Sequence, residues 1–497
     1  MTQAQAFTPE DAGQLVMVDI QGKTLDPATA AFLREHRIRA VCLFRKNLGT
    51  EEEVRQLTRQ LREVMGPNAL IGLDQEGGSV VRATFLPQAP SAMALGAAGD
   101  SELCERVGAA VARGLRSIGV NWNFAPVLDI NNNPANPVIA ERSFSERADE
   151  VTRLAGAWMW GSLREGVACC VKHFPGHGDT HVDSHLALPT VDKSRAELDA
   201  LELRPFHALR EIAPAVMTAH IVYPQIDPEY PATLSATILG GILRKEWGYE
   251  GVVITDALMM KAICERYGYD RAAVLALQAG ADMILAQGSL EEQGQSLRAL
   301  REAFARGELT AEQGARARDR LDRLAKAYPV VHDAYGGAVR EADGALMAEA
   351  WARGLTALRA AQAPALDAPI RVYVQTDVPT DMVSEAGPTG AQIAGLFSGF
   401  SDAEIVMLDD LLGLDWADVP RDGRKTIVAS THRLRYGANA GQWQPDLHLV
   451  LWNPFQALDV QGATVISWGY ADGALAALKS WLQGELVASA TSPVSLG

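Results

Sequence analysis

The chain has 497 residues, enough for two or three domains, and is 48% hydrophobic and 21% charged, the balance of a soluble globular protein. Its net charge of −16 lacks the basic footprint of a general nucleic-acid binder, so nucleic acid is not an expected partner. No apolar run approaches the roughly 20 residues that span a bilayer. The start MTQAQAFTPEDAG has neither the basic region nor the apolar core of a secretory signal, so a cytoplasmic protein without a membrane partner is expected.

The first two thirds alternate short apolar runs with helical patterns. Strands are predicted at Leu15–Ile20, Ala40–Phe44, Leu70–Leu73, Val120–Phe124, Val167–His173, Ala215–His220, Val252–Asp256 and Met283–Ala286. Amphipathic segments lie between them: Ala28–His36, Glu51–Val64, Glu102–Ser117, Val151–Glu165, Arg195–Glu211, Ile238–Trp247 and Arg271–Ala279. Eight strand-then-helix steps argue for a (β/α)8 TIM-type barrel. The alternative is an open doubly wound sheet, but no GxGxxG follows an early strand, which weakens its dinucleotide-binding form. Helical patterns Glu291–Arg306 and Ala311–Ala327 would close the barrel. A break near Gly336 divides the chain into residues 1–335 and 336–497.

The second part opens with a long helical segment, Val339–Ala361, and an Ala-rich helix end and linker, Ala360–Ala368. Strands are then predicted at Pro369–Gln375, Ala403–Leu408, Thr426–Ala429, Leu447–Trp452 and Ala463–Trp468, and a last helix at Ala474–Leu482. This reads as a smaller α/β domain of three layers. Trp416, Trp443, Trp452, Trp468 and Trp481 fall in it. They could stack on sugars, but core and interface packing is the commoner use.

Cysteines Cys42, Cys104, Cys169, Cys170 and Cys264 are odd in number and form no CxxC. Three lie in apolar runs and read as small core residues of a reducing compartment, not as a disulfide framework or a zinc site.

Polar residues collect at the C-terminal ends of the strand runs, where active sites of such barrels sit. Asp74 follows the third run, Asn123 and Asp129 the fourth, Lys172 and His173 the fifth, His220 the sixth, and Asp256 ends the seventh. The densest stretch is VKHFPGHGDTHVDSHLALPTV, residues 171–191. His173, His177, His181 and His185 recur every four residues, but Pro175, Gly176 and Gly178 argue against a helix. A strand that ends near His173 and turns into a polar loop is expected. Asp256, in GVVITDALMM, closes a buried strand, where an unpaired carboxylate is costly. A positioned Asp can attack an acetal carbon, and Asp183 beside His185 could give an acid/base near neutral pH.

Together KHFPGHGDTHVDSH, DQEGG at Asp74–Gly78, NFAPVLDINNNPANPVI at Asn123–Ile139, ERSF at Glu141–Phe144 and ITDALMM at Ile254–Met260 resemble glycoside hydrolase family 3, in its β-N-acetylglucosaminidase branch. LVLWNPFQAL at Leu449–Leu458 and TSPVSL at Thr491–Leu496 resemble more weakly the second domain of its two-domain members. The resemblance implies Asp256 as nucleophile and His185 as acid/base, with Asp183 as its partner. It implies Asp74, Arg82, Arg142, Lys172 and His173 as sugar-binding residues. It implies exo-acting, retaining removal of GlcNAc from peptidoglycan fragments (muropeptides) or short chitin oligomers, with no cofactor and no metal. The family's usual Arg after DQEGG is Ser79 here, which puts local geometry in question.

His177 and Asp179 read as loop braces, and His181 as solvated or incidental. Other readings are a β-glucosidase or glycoside phosphorylase of the same fold, a metal-dependent hydrolase on a barrel, and a non-catalytic sugar-binding protein.

Overall fold

The structure is a computed structural model that describes residues 6–184, 187–376, 383–384 and 387–496. Eight parallel strands close a barrel: β1 Val16–Asp19, β2 Ala40–Cys42, β3 Leu70–Leu73, β4 Trp122–Asn123, β5 Ala168–Phe174, β6 Ala215–Thr218, β7 Val252–Ala257 and β8 Met283–Ala286. Neighbours in the barrel are neighbours in sequence, and β1 pairs with both β2 and β8. Strands such as LIGL of β3 are buried throughout, because helices cover one face and the barrel interior the other. That is why they read as apolar runs without alternation. Gly72 makes room inside, since a Cβ there would lie 2.7 Å from the Phe124 ring.

β4 is shorter than its apolar run suggests. Asparagine side chains replace part of the ladder: Asn121 Oδ1 accepts from Ile71 N–H at 2.8 Å, and Asn123 Oδ1 from Gln75 N–H at 3.0 Å. The predicted helix Arg195–Glu211 is two helices, Arg195–Ala200 and Leu203–Leu209. Leu201 is non-helical, and Pro205 lacks the N–H that would bond back to its carbonyl. A short helix, Ala92–Ala98, has no counterpart in the sequence reading. Ser91 caps it, and left-handed Gly99 ends it.

The predicted helix Val339–Ala361 is corrected more substantially. Helix Gly337–Gly354 stops at Gly354, and β9, Thr356–Leu358, follows it. β9 pairs antiparallel with β14, Thr464–Ile466. Helix-favouring alanines lose to an available sheet edge, because propensity is the weaker force. The remaining strands are β10 Ile370–Gln375, β11 Ala403–Leu408, β12 Lys425–Ser430 and β13 Leu447–Val450. The sheet order is β9-β14-β13-β12-β10-β11, parallel apart from β9. Trp443, Trp452 and Trp468 are fully buried, and Trp481 is nearly so.

The sheet packs on the barrel through an apolar cluster that includes Met93, Ala94, Trp351, Phe455 and Trp468. The tail joins this contact. Ser145 Oγ donates to Pro493 O at 2.8 Å, and Ser495 Oγ to Glu146 at 2.7 Å.

Candidate active site

The strand ends open into a pocket at the C-terminal mouth of the barrel. Asp74, Arg82, Arg142, Lys172, His173 and Asp256 all line it. Residues up to 182 positions apart in sequence are thereby brought to one cavity by strand ends and the loops that follow them.

One wall is a cluster of ions. Lys172 Nζ lies 2.6 Å from Asp74 Oδ1 and 2.7 Å from Glu76 Oε1. Arg142 grips Glu76 with two bonds of 2.8 Å, and Arg82 reaches Asp74 at 3.4 Å. Burial alone would raise the Asp74 and Glu76 carboxyls, but Lys172 and Arg82 hold Asp74 below its usual range, and Arg142 and Lys172 hold Glu76 far below it. Burial likewise opposes the Lys172 ammonium, yet the two carboxylates raise its pKa. Asp74, Glu76 and Lys172 therefore keep their charges at neutral pH. Two carboxylates and three cations offer acceptors and donors to a polyhydroxylated ligand.

Glu76 is a residue that the sequence reading passed over. It sits two residues after Asp74 in a small hairpin, Gln75–Gly77 with Val80–Val81, and the acid in DQEGG was the available signal.

The central loop is anchored from below. Asp129 accepts from the His173 N–H at 3.1 Å, the His173 ring Nδ1 at 2.6 Å and the His177 N–H at 2.6 Å. Burial opposes its charge, but His173 and His177 lower its pKa overall. Gly178 packs on the backbone of Ile130, where a Cβ would lie 1.6 Å from Ile130 O, so no other residue fits. The three described histidines of the motif take different partners. His173 engages Asp129; His177 bonds Thr180 at 2.9 Å and Ser184 at 3.1 Å; His181 is exposed beside Asn133; His185 lies outside the described residues. Burial, then His173, pushes the His177 pKa down to about 4, so its ring is a neutral brace. Asp179 braces the loop by pairing with Lys193 at 2.7 Å. Among the described residues no three His, Cys, Asp or Glu side chains gather as a metal ligand set.

Asp256 is the next-to-last residue of β7. It is half-buried, and its Oδ1 accepts from the Ala257 N–H at 2.8 Å. His220, at the end of the sixth run, does not line the cavity. It is buried against β7, with Nε2 3.0 Å from Ala257 O. That nitrogen carries the proton, since a carbonyl only accepts. Asp183 is half-buried, and Ser184, between it and His185, lines the pocket.

The second sheet's side of the molecule also reaches the site. Val383 O accepts from Arg82 Nη1 at 2.7 Å, and Ser384 Oγ donates to Ser79 O at 3.0 Å. Ser79, where the family's Arg was expected, donates to the buried Glu141 carboxylate, which also accepts from Trp452 Nε1 at 2.9 Å. Nothing local in sequence signals contacts across 300 or more residues.

A barrel whose strand ends gather carboxylates and cations round one pocket has the layout of a barrel enzyme. Residues 8–324 match the Glycosyl hydrolase family 3 N terminal domain. The chain belongs to glycosyl hydrolase family 3 and is a glycoside hydrolase. Among curated relatives, the β-hexosaminidase of Alkalilimnicola ehrlichii is 38% identical over 278 residues, covering 54% of this chain and 79% of that protein. β-Hexosaminidase A of Pseudoalteromonas piscicida is 37% identical over 286 residues, which is 53% of this chain but only 48% of that protein. The solved family 3 β-N-acetylglucosaminidase from Paenibacillus sp. superposes with a TM-score of 0.87 at 33% identity, covering 98% of each chain. A β-glucoside phosphorylase at 22% identity and a TM-score of 0.80 shares the fold.

Proposed function

We propose that this glycoside hydrolase is an exo-acting, retaining β-N-acetylglucosaminidase that removes terminal GlcNAc from peptidoglycan fragments or short chitin oligomers in the cytoplasm. Asp256 attacks the anomeric carbon and forms a covalent glycosyl-enzyme. His185, oriented and charged by Asp183, protonates the leaving oxygen and then activates water. Asp74, Arg82, Arg142, Lys172 and His173 hold the sugar's hydroxyl and acetamido groups. Residues 1–335 form the catalytic barrel, and residues 336–497 form a second α/β domain that buttresses its sugar-binding side.

The observation that carries this reading is the half-buried Asp256 carboxylate in the same pocket as the charged cluster around Lys172. The relatives named β-hexosaminidase and β-N-acetylglucosaminidase point the same way. The test is mechanism-based labelling. A 5-fluoro derivative of GlcNAc should label Asp256 in the wild type, and Asp256→Ala should abolish turnover without unfolding. NMR of the first-formed sugar should show the β anomer. Label on another residue, or an α product, would overturn the assignment. Running the reaction in phosphate separates hydrolysis from phosphorolysis by product.

A further inference from the structure

The loop that leaves β5 at Phe174 leads to Asp183 and Ser184, which directly precede the proposed acid/base in sequence. The root of this loop is held by Asp129, and by Asn136 Nδ2, which donates to His177 O at 2.9 Å and Gly178 O at 3.1 Å. Between that root and Ser184 stands Asp179, whose Oδ2 lies 2.7 Å from Lys193 Nζ. The same ammonium lies 2.5 Å from Glu202 Oε1. Glu202 is buried, at the break between the two short helices, and also accepts from Asn132 Nδ2 at 3.3 Å. One lysine is thus shared by two carboxylates on separate segments, and none of the three side chains lines the pocket.

The two halves of this bridge differ. Glu202, buried, requires the cation, since a buried carboxylate without a partner is costly. Asp179 and Lys193 are 26% and 21% exposed at the side chain, so their contact is the partly solvated half. Two carboxylates against one ammonium carry a net −1; without Asp179 the Lys193–Glu202 pair is balanced and remains in place.

We propose that Lys193 is a positioning residue for the acid/base, tethering the loop through Asp179 to the body of the barrel at Glu202. It does not touch substrate. It limits where Asp183 and Ser184 can stand, four and five residues beyond the tether. The inference rests on the acid/base reading of His185 and deepens it. The consequence is selective. A loosened loop impairs proton delivery to the leaving group, while the charged cluster and Asp256 remain in place.

The experiment compares chitobiose, which has a poor leaving group, with an activated aryl β-GlcNAc glycoside, in the wild type, Asp179→Ala, Lys193→Met, Lys193→Arg and His185→Ala. For Asp179→Ala, kcat on chitobiose should fall about tenfold or more, a fraction of the effect of losing a general acid. Turnover of the aryl substrate should fall far less, and azide should restore part of that smaller loss, because it replaces water in deglycosylation without needing a general base. Lys193→Met should share that signature, and Lys193→Arg should return both rates toward the wild type. Because Lys193→Met strands Glu202 and can unfold the chain, Asp179→Ala decides the case, with thermal unfolding checked alongside. Equal losses on both substrates without azide rescue, or wild-type rates throughout, would overturn the tether. If His185→Ala itself shows no leaving-group dependence, the acid/base reading falls, and the tether's role with it. If His185→Ala shows it and Asp179→Ala does not, only the tether falls.

Discussion

Lys172 stands where the charges of the pocket meet. Its ammonium is within 2.7 Å of both Asp74 and Glu76, with its side chain 3% exposed. Three opposed charges in low dielectric are tolerable only as a set, because removing one leaves an uncompensated buried charge. Lys172→Met should therefore lower stability by about 3–5 kcal/mol. It should also weaken GlcNAc binding by roughly 10–100-fold, the worth of a hydrogen bond to a charged group. Urea unfolding and calorimetric titration with GlcNAc check the two effects separately; wild-type affinity in the variant would remove Lys172 from the sugar site. Lys172 and Asp74 were legible in sequence because each sits at a strand end. Glu76 was not, because its role depends on a hairpin that turns it back toward Arg142.

β5 and its loop form the element on which the site depends. Seven buried residues lead into a segment whose backbone donors converge on one carboxylate, Asp129. Asp129→Asn keeps the shape but removes the charge that three donors share. The expected cost is about 1.5–3 kcal/mol, and amide exchange at His177 should rise with it. Exchange unchanged at His177 would mean that the loop is held elsewhere. Proline and glycine in the sequence correctly excluded a helix here. They did not say which residue anchors the loop, because Asp129 belongs to the segment after another strand, β4, 44 residues before His173.

At the scale of the whole molecule, the contact between barrel and second sheet bears on the site. Glu141 is buried, and burial raises its pKa. It accepts from Ser79 on one side and from Trp452 of the second sheet's side on the other. Trp452→Phe retains most of the packing and removes one donor, with an expected loss of about 1–3 kcal/mol. Sugar affinity should fall as well, since Arg142 follows Glu141 directly; a stability loss with unchanged affinity would confine Trp452 to packing. The response to acid is also a property of the whole chain. Burial holds His177 and His332 at about 4 and His448 at about 3, against an unfolded value near 6.5. A depressed folded pKa means that the unfolded chain binds more protons in this window. Stability from these histidines is complete above about pH 6.5 and is lost as pH falls toward 4. Urea midpoints measured from pH 7 to 4 should decline, and the decline should be shallower in His448→Gln.

Sequence by itself determined the barrel. Eight apolar runs matched eight strands, two of them to the residue, because a strand buried on both faces needs an unbroken apolar run and leaves it in polar residues at its C-terminal end. Tertiary structure decided which of those polar ends cooperate. Asp74, Lys172 and Asp256 meet only because closure of the sheet brings β3, β5 and β7 to one mouth, and the segment after β4 adds Arg142. It also decided the fate of Thr356–Leu358, which local propensity assigns to a helix and a vacant sheet edge converts to a strand. The Ser79–Glu141–Trp452 and Asp179–Lys193–Glu202 contacts belong to the same class. Hydrogen bonds and ion pairs reach only about 3–4 Å, so their partners are chosen by packing and cannot be read from spacing along the chain.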